Sequence, residues 1–208
     1  MLHPAGPAAQ TIADVWWIML ICGSAIFVLV MALLITALHR PADPSGNGES
    51  EGEGGTRVWM WGLGLGFPLV TLAALTGYGL VVGERLLPRD TPDVVTVRAE
   101  ARQWAWTFGY AGAPGLTTEG VLHIPSGRPA NVEITSTDVI HSFWVPRLAG
   151  KLDAIPGHVN VLRIEAGSPG TFDGQSAEFS GQGYREHIFS VEAHDAASWA
   201  TFLRKGTP

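Results

Sequence analysis

Residues 15–38, VWWIMLICGSAIFVLVMALLITAL, form a run of 24 positions without a formal charge. Wound as an α-helix at 1.5 Å per residue, such a run is about 36 Å long, enough to cross the hydrocarbon core of a bilayer with some tilt. Trp16 and Trp17 open the run, where amphipathic indoles favour the headgroup level, and His39, Arg40 and Pro41 close it. A cleaved signal peptide fits poorly: no Lys or Arg precedes the run, it is too long, and no small-residue cleavage pattern follows. A lipid-modified cysteine fits poorly too, because Ile21 stands before Cys22 where a small residue belongs. Cys22 reads as a buried, inert packing residue.

A second apolar run, residues 58–83, follows a polar loop, PADPSGNGESEGEGGTR at 41–57. It holds Trp59, Trp61 and Tyr78, and Gly62, Gly64 and Gly66 are small enough to let another helix approach. Pro68 predicts a kink that neighbouring helices must accommodate. Glu84 and Arg85 mark its far end. The expected order is an outer segment over 1–14, spans over 15–38 and 58–84, and a cytoplasmic loop over 39–57. Residues 1–14 carry no Lys or Arg, whereas the loop carries Arg40 and Arg57, so the positive-inside rule leaves both chain ends outside. Arg85 and Arg89 oppose this orientation, but a long domain translocates largely regardless of charge.

Composition narrows the function classes. Of 208 residues 46% are apolar and 15% charged, with a formal net charge of -6. No basic patch stands out, which excludes nucleic acid as a partner. With one cysteine, an intrachain disulfide and any site built on two thiolates are excluded.

Beyond Pro88 and Pro92 the period changes. DVVTVRAEARQWAWTFGY at 93–110 alternates and is rich in β-branched and aromatic residues. Shorter strand-like runs follow at 121–125, 130–136, 141–146, 159–166 and 186–193, separated by turn signals such as Pro114-Gly115, Ser126-Gly127, Pro156-Gly157 and Pro169-Gly170. This spacing predicts a β-sandwich or barrel over 93–194. Residues 195–205 predict a terminal helix with Asp195 as its N-cap, and 195–208 complete the chain as helix and tail. No repeat and no phosphate-binding glycine loop is present.

Gln103-Trp104-Ala105-Trp106, Asp138-Val139-Ile140-His141-Ser142-Phe143-Trp144-Val145-Pro146 and Lys151-Leu152-Asp153-Ala154-Ile155-Pro156-Gly157 resemble, in that order, strings of subunit II of the haem–copper respiratory oxidases. Gly170-Thr171-Phe172 and Gly174-Gln175 resemble the approach to that family's copper loop. The resemblance runs from about residue 12 to residue 204. It implies a membrane α plus all-β fold: a two-helix transmembrane hairpin, then a cupredoxin-like Greek-key sandwich on the periplasmic side of a bacterial inner membrane.

One departure bears on function. In cytochrome c oxidases of this family the loop reads Cys-x-Glu-x-Cys, then His and Met, and binds a dinuclear copper centre together with a histidine that matches His141. Here Ser176 and Ser180 stand at the cysteine positions, Tyr184 at the histidine and His187 at the methionine. Soft sulfur ligands favour copper, and serine hydroxyls do not replace bridging thiolates. The dinuclear centre is therefore expected to be absent. Ser176-Ala177, Ser180-Gly181 and Gly183-Tyr184 resemble instead the loop of bo-type quinol oxidases, whose electrons pass from membrane quinol into subunit I.

The resemblance then implies a subunit of a quinol:oxygen oxidoreductase that reduces dioxygen and pumps protons. Haem, the oxygen-site copper and quinol would belong to subunit I. This chain, with no catalytic centre of its own, would cap subunit I, anchor in lipid and meet subunits III and IV. Two alternatives stand beside it: an oxidase fed directly by cytochrome c without the copper pair, and a membrane-tethered protein holding one copper or zinc between His141 and His187, with Glu178 or Tyr184 nearby. For His141 the plainer reading is a histidine hydrogen-bonded beneath the loop. Glu178 reads either as a solvated loop acid or, by resemblance, as a contact to a magnesium or manganese ion at the subunit I boundary, although bo-type enzymes usually lack it. Trp104 and Trp106 read as core or interface aromatics. In copper-bearing relatives the residue matching Trp104 admits electrons.

Overall fold

The computed structural model describes residues 3–39, 55, 57–88 and 93–205. Of the expected cytoplasmic loop, residues 40–54 and 56, with Glu49, Glu51 and Glu53, lie outside the described residues. The chain divides into two compact units, residues 17–85 and residues 1–16 with 86–208.

The first unit is helical. Helix α1 covers Pro7–Leu38, and a second helix begins with Val58–Gly66 and continues as α2, Phe67–Leu86. Both are long and apolar enough to cross a membrane, over Pro7–Leu38 and Val58–Glu84. Their apolar side chains stand outward: Ile21, Phe27, Val28, Leu38, Trp61, Val70 and Leu80 are all exposed. Val58–Gly66 is wound more widely than an α-helix, and the Phe67 N–H reaches back to the Gly62 carbonyl. This widened stretch, which holds the three alternating glycines, ends two residues before Pro68.

In the second unit, ten strands among the described residues form two five-stranded sheets. The first has the order β3-β2-β1-β5-β8, from β1 (Val95–Arg102), β2 (Ala105–Tyr110), β3 (Thr117–Glu119), β5 (Ala130–Ser136) and β8 (Asn160–Ile164). The second has the order β4-β10-β9-β6-β7, from β4 (Val121–Pro125), β6 (His141–Trp144), β7 (Lys151–Ala154), β9 (Gly170–Ser176) and β10 (Ile188–His194). Only β1/β5 and β4/β10 run parallel among these pairs. Alternation drives the packing: Val97, Ala99 and Ala101 of β1 point inward, while Arg98, Glu100 and Arg102 face water. Trp106, Phe108, Phe143, Leu122, Ile124, Ile134 and Leu148 fill the core with no exposed surface. Burying such side chains contributes about 1.5–3 kcal/mol each. The ion pairs Arg98–Glu133 and Arg102–Glu119 lie on exposed faces and contribute little.

Three features depart from the sequence reading. The run 93–110 is two strands joined at Gln103-Trp104, with Arg102 opposite Ala105. Neither residue carries turn chemistry; the Gln103 N–H is held instead by the Asp138 carboxylate, 2.7 Å away. Strands β3, β7 and β9 were not foreseen. In β9 the reason is Gly174, whose missing side chain admits the ring of Phe189 opposite it; a Cβ there would lie 2.3 Å from a ring atom. Finally, α1 begins eight residues before the apolar run, because its first turns pack on the sandwich. Ala9 and Ala13 are buried, the Ala5 N–H donates to the Arg147 carbonyl (2.8 Å), and the Gly167 N–H donates to the Ala5 carbonyl (2.8 Å). Gly6 permits this approach, since a Cβ would lie 2.0 Å from the Glu165 carbonyl oxygen. The terminal helix, α3 (Ala196–Arg204), forms as expected, with Asp195 accepting from the N–H groups of Ala197 and Ser198.

Candidate functional site

The loop singled out in the sequence spans the end of β9 to the start of β10. Ser176 ends β9 opposite Phe143 of β6, and its hydroxyl accepts from the Ser142 N–H at 3.3 Å. The Ser176 N–H donates to the His187 carbonyl at 2.9 Å, which closes the loop at its neck. Inside the loop, Gly181 and Gly183 adopt φ of 119° and 97°, a region that favours glycine, and the loop lies flat against the Trp104 indole. The Gln103 side-chain amide donates to the Ser180 carbonyl.

This geometry brings His141, His187, Ser176 and Ser180 together in the interior. Both imidazoles are fully buried, with ring centroids 4.9 Å apart and planes at 77°. Trp106 stacks on His187 at 5.4 Å and meets His141 edge-on at 6.4 Å. His141 Nε2 lies 2.8 Å from Asp138 Oδ1, so the plainer reading, a histidine hydrogen-bonded under the loop, describes it. Asp138 lay in the quoted motif, but sequence reasoning gave it no role. Burial opposes its ionisation, yet hydrogen bonds from the Gln103 N–H, the His141 ring, the Val139 N–H and the Ser136 hydroxyl outweigh that. They hold its carboxyl well below the ordinary carboxylate range. Burial pushes the His187 imidazole below its ordinary pKa, and His141 adds to this; the Ala105 carbonyl and Asp138 pull the other way.

Several buried polar atoms around the two rings have no hydrogen-bond partner among the described residues: His141 Nδ1, Ser142 Oγ, Ser180 Oγ and Trp106 Nε1. Such a concentration inside an apolar core is uncommon. The donors present are two imidazoles and serine hydroxyls. The chain's one cysteine, Cys22, belongs to the helical unit. This set does not fit a pair of copper ions bridged by thiolates.

Two residues expected beside the histidines are engaged elsewhere. Tyr184 packs its ring on Phe179, at 5.3 Å between centroids. Glu178 pairs with Lys151 Nζ at 3.6 Å and accepts from the Phe179 N–H at 3.0 Å. The oxygen within hydrogen-bond reach of His141 is that of Asp138. A further group, His123, Glu192 and His194, converges on the outer face of the second sheet and was not noticed in the sequence. Its signal was there, in Glu192 and His194 two residues apart on a strand.

Comparisons with known proteins agree with this architecture. Residues 113–193 match the family described as cytochrome C oxidase subunit II, periplasmic domain. A protein of Alkalihalophilus pseudofirmus named cytochrome c oxidase subunit 2 is 31% identical over 92% of this chain and 57% of its own length. The quinol oxidase subunit 2 of Bacillus cereus is 28% identical over 99% of this chain and 72% of its own length. The cytochrome bo(3) ubiquinol oxidase subunit 2 of Pseudomonas aeruginosa is 36% identical over 53% of this chain and 33% of its own length. This chain thus spans between a third and three quarters of these three relatives. In fold, it resembles the crystallised periplasmic domain of subunit II of cytochrome oxidase of Bradyrhizobium japonicum, with a TM-score of 0.53 at 23% identity over 58% of this chain and 96% of that one. Two apolar helices, a cupredoxin-like sandwich and these matches together lead to one conclusion: the chain is similar to subunit II of the haem–copper respiratory oxidases, with the family match itself lying in the sandwich at residues 113–193.

Proposed function

We propose that this chain is the subunit II of a quinol-oxidising member of the family and carries no dinuclear copper. The observation behind this reading is the buried donor set at the loop: Ser176 and Ser180 stand with His141 and His187, and no thiol accompanies them. Without a copper relay, electrons have no route through this domain. Quinol bound by subunit I is then the donor, as the names of the Bacillus cereus and Pseudomonas aeruginosa relatives also suggest.

In this reading the chain is structural. Its two helices anchor it in the inner membrane, and its sandwich covers the periplasmic face of subunit I, with subunits III and IV completing the complex. Haem and the oxygen-site copper reside in subunit I, where dioxygen is reduced and protons are pumped. Glu178, about half exposed beside Lys151, is available for the boundary with subunit I. A magnesium ion there would find a hard carboxylate donor.

The test is oxygen consumption by the complex purified through this chain, with reduced quinol and then with reduced cytochrome c. Fast quinol oxidation without cytochrome c oxidation is the expected result. Fast cytochrome c oxidation overturns the reading and requires an electron path that avoids this domain's histidines.

A further inference from the structure

Strands β4 and β10 pair in parallel with Glu192 opposite His123. Residues two apart on a strand share a face, so His194 stands beside Glu192. The alternate residues Leu122, Ile124, Val191 and Ala193 are buried in the core. His123, Glu192 and His194 therefore occupy the opposite face of the sheet, beneath α3. Phe202 of α3 stacks on His123 at 4.2 Å and lies nearly parallel to His194 at 5.7 Å, which fixes both rings.

The three side chains offer ligand atoms that all lie within 4.8 Å of one another. His123 Nδ1 is 2.8 Å from His194 Nε2 and 3.3 Å from Glu192 Oε2. Two donors bound to one tetrahedral zinc ion at its usual bond lengths are about 3.3 Å apart. The Glu192 separation already meets this, and the two nitrogens need to part by only about 0.5 Å when an ion replaces the proton they share. A cavity of about 490 Å³, also lined by Ser198, Thr201 and Lys205, lies beside the group and leaves room for a further ligand such as water. Burial lowers the pKa of His123; Glu192 opposes this, while His194 and Lys205 add to it. A lowered pKa favours the neutral ring, the form that coordinates metal.

We propose that His123, His194 and Glu192 bind one divalent transition-metal ion, with an open coordination position toward the cavity. Two imidazole nitrogens and one carboxylate suit zinc or copper(II). They offer too few oxygens for calcium or magnesium and no sulfur for copper(I). The site is separate from the loop around His141 and does not depend on which donor feeds the oxidase. Its rigidity comes from two paired strands and a packed helix, so the ligands are held in place before the ion arrives.

The experiment uses the full chain in detergent, stripped of metal by a chelator. Zn2+ alone is titrated by calorimetry, and Co2+ is followed by its visible absorption. One equivalent of Zn2+ is expected, with Co2+ bands characteristic of low coordination number. Glu192→Gln, at a half-exposed position that leaves the core untouched, is expected to weaken binding at least about tenfold, and His194→Gln about a hundredfold or more. His187→Gln is expected to leave the affinity unchanged. Absence of binding overturns the proposal. So does binding that survives Glu192→Gln and His194→Gln but is lost in His187→Gln, which would assign the ion to the buried pair under the loop.

Discussion

Asp138→Asn isolates the polar anchor of the candidate site. In the native chain Oδ2 accepts from the Gln103 N–H at 2.7 Å. Oδ1 faces the Val139 N–H at 2.6 Å, His141 Nε2 at 2.8 Å and the Ser136 hydroxyl at 3.1 Å. Asparagine keeps the volume. Its oxygen can stay with the three donors, but its amide nitrogen then meets the Gln103 N–H, donor against donor. One charge-assisted bond is lost, worth about 1.5–3 kcal/mol, and the other bonds lose their charge assistance. The side chain is 30% exposed, so screening by water favours the lower end, a net loss of about 2 kcal/mol. For a sandwich of this size that is roughly an 8–12 °C fall in Tm, read by tryptophan fluorescence of the chain in detergent. The pH dependence checks the cause. The folded carboxyl titrates below its unfolded value, so its stabilisation is present above about pH 4 and is lost as pH falls through the folded pKa. The gap between native chain and variant should be level from pH 6 to 8 and close below pH 4. A fall under about 3 °C, or a gap that persists in acid, refutes the reasoning.

Gly6→Ala should lift the start of α1 from the sandwich, because the added Cβ meets the Glu165 carbonyl at 2.0 Å. Hydrogen exchange at the amides of Ala9 and Gly167, which donate to Leu148 and Ala5, should accelerate at least about tenfold; unchanged protection contradicts the packing. Asp195→Ala removes the cap of α3 and should cost about 1 kcal/mol in urea unfolding, with Ala197 and Ser198 losing their acceptor. On the proposed function, in which no copper acceptor stands behind the indole, Trp104→Phe should leave quinol turnover of the complex within about twofold of native; a large loss would mean that electrons do pass there.

The fold was legible wherever local signals agreed. Uncharged runs of helical length, strand alternation at 121–125 and 130–136, and the Asp195 cap all act over a few residues, and each appears in the structure. The misses share a cause. The hairpin at Gln103-Trp104 has no turn residues because Asp138, 35 positions away, holds it. Strand β9 is stabilised by the fit of Phe189 over Gly174, a contact between strands that no single segment displays. At the candidate site, the sequence offered the residues of the loop, whereas the partners of each side chain could not be read from it. Tyr184 and Glu178 lie close in sequence to the histidines, but their side chains turn to Phe179 and Lys151.

By itself, the sequence determined two apolar helices long enough to span a membrane and a sandwich, because charge and period are properties of the residues themselves. Only the tertiary structure decided that Asp138 anchors His141, that the first turns of α1 belong with the sandwich, and that His123 converges with Glu192 and His194. These depend on which strands lie side by side and in what register, and register is set by the packing of the whole core rather than by any one segment.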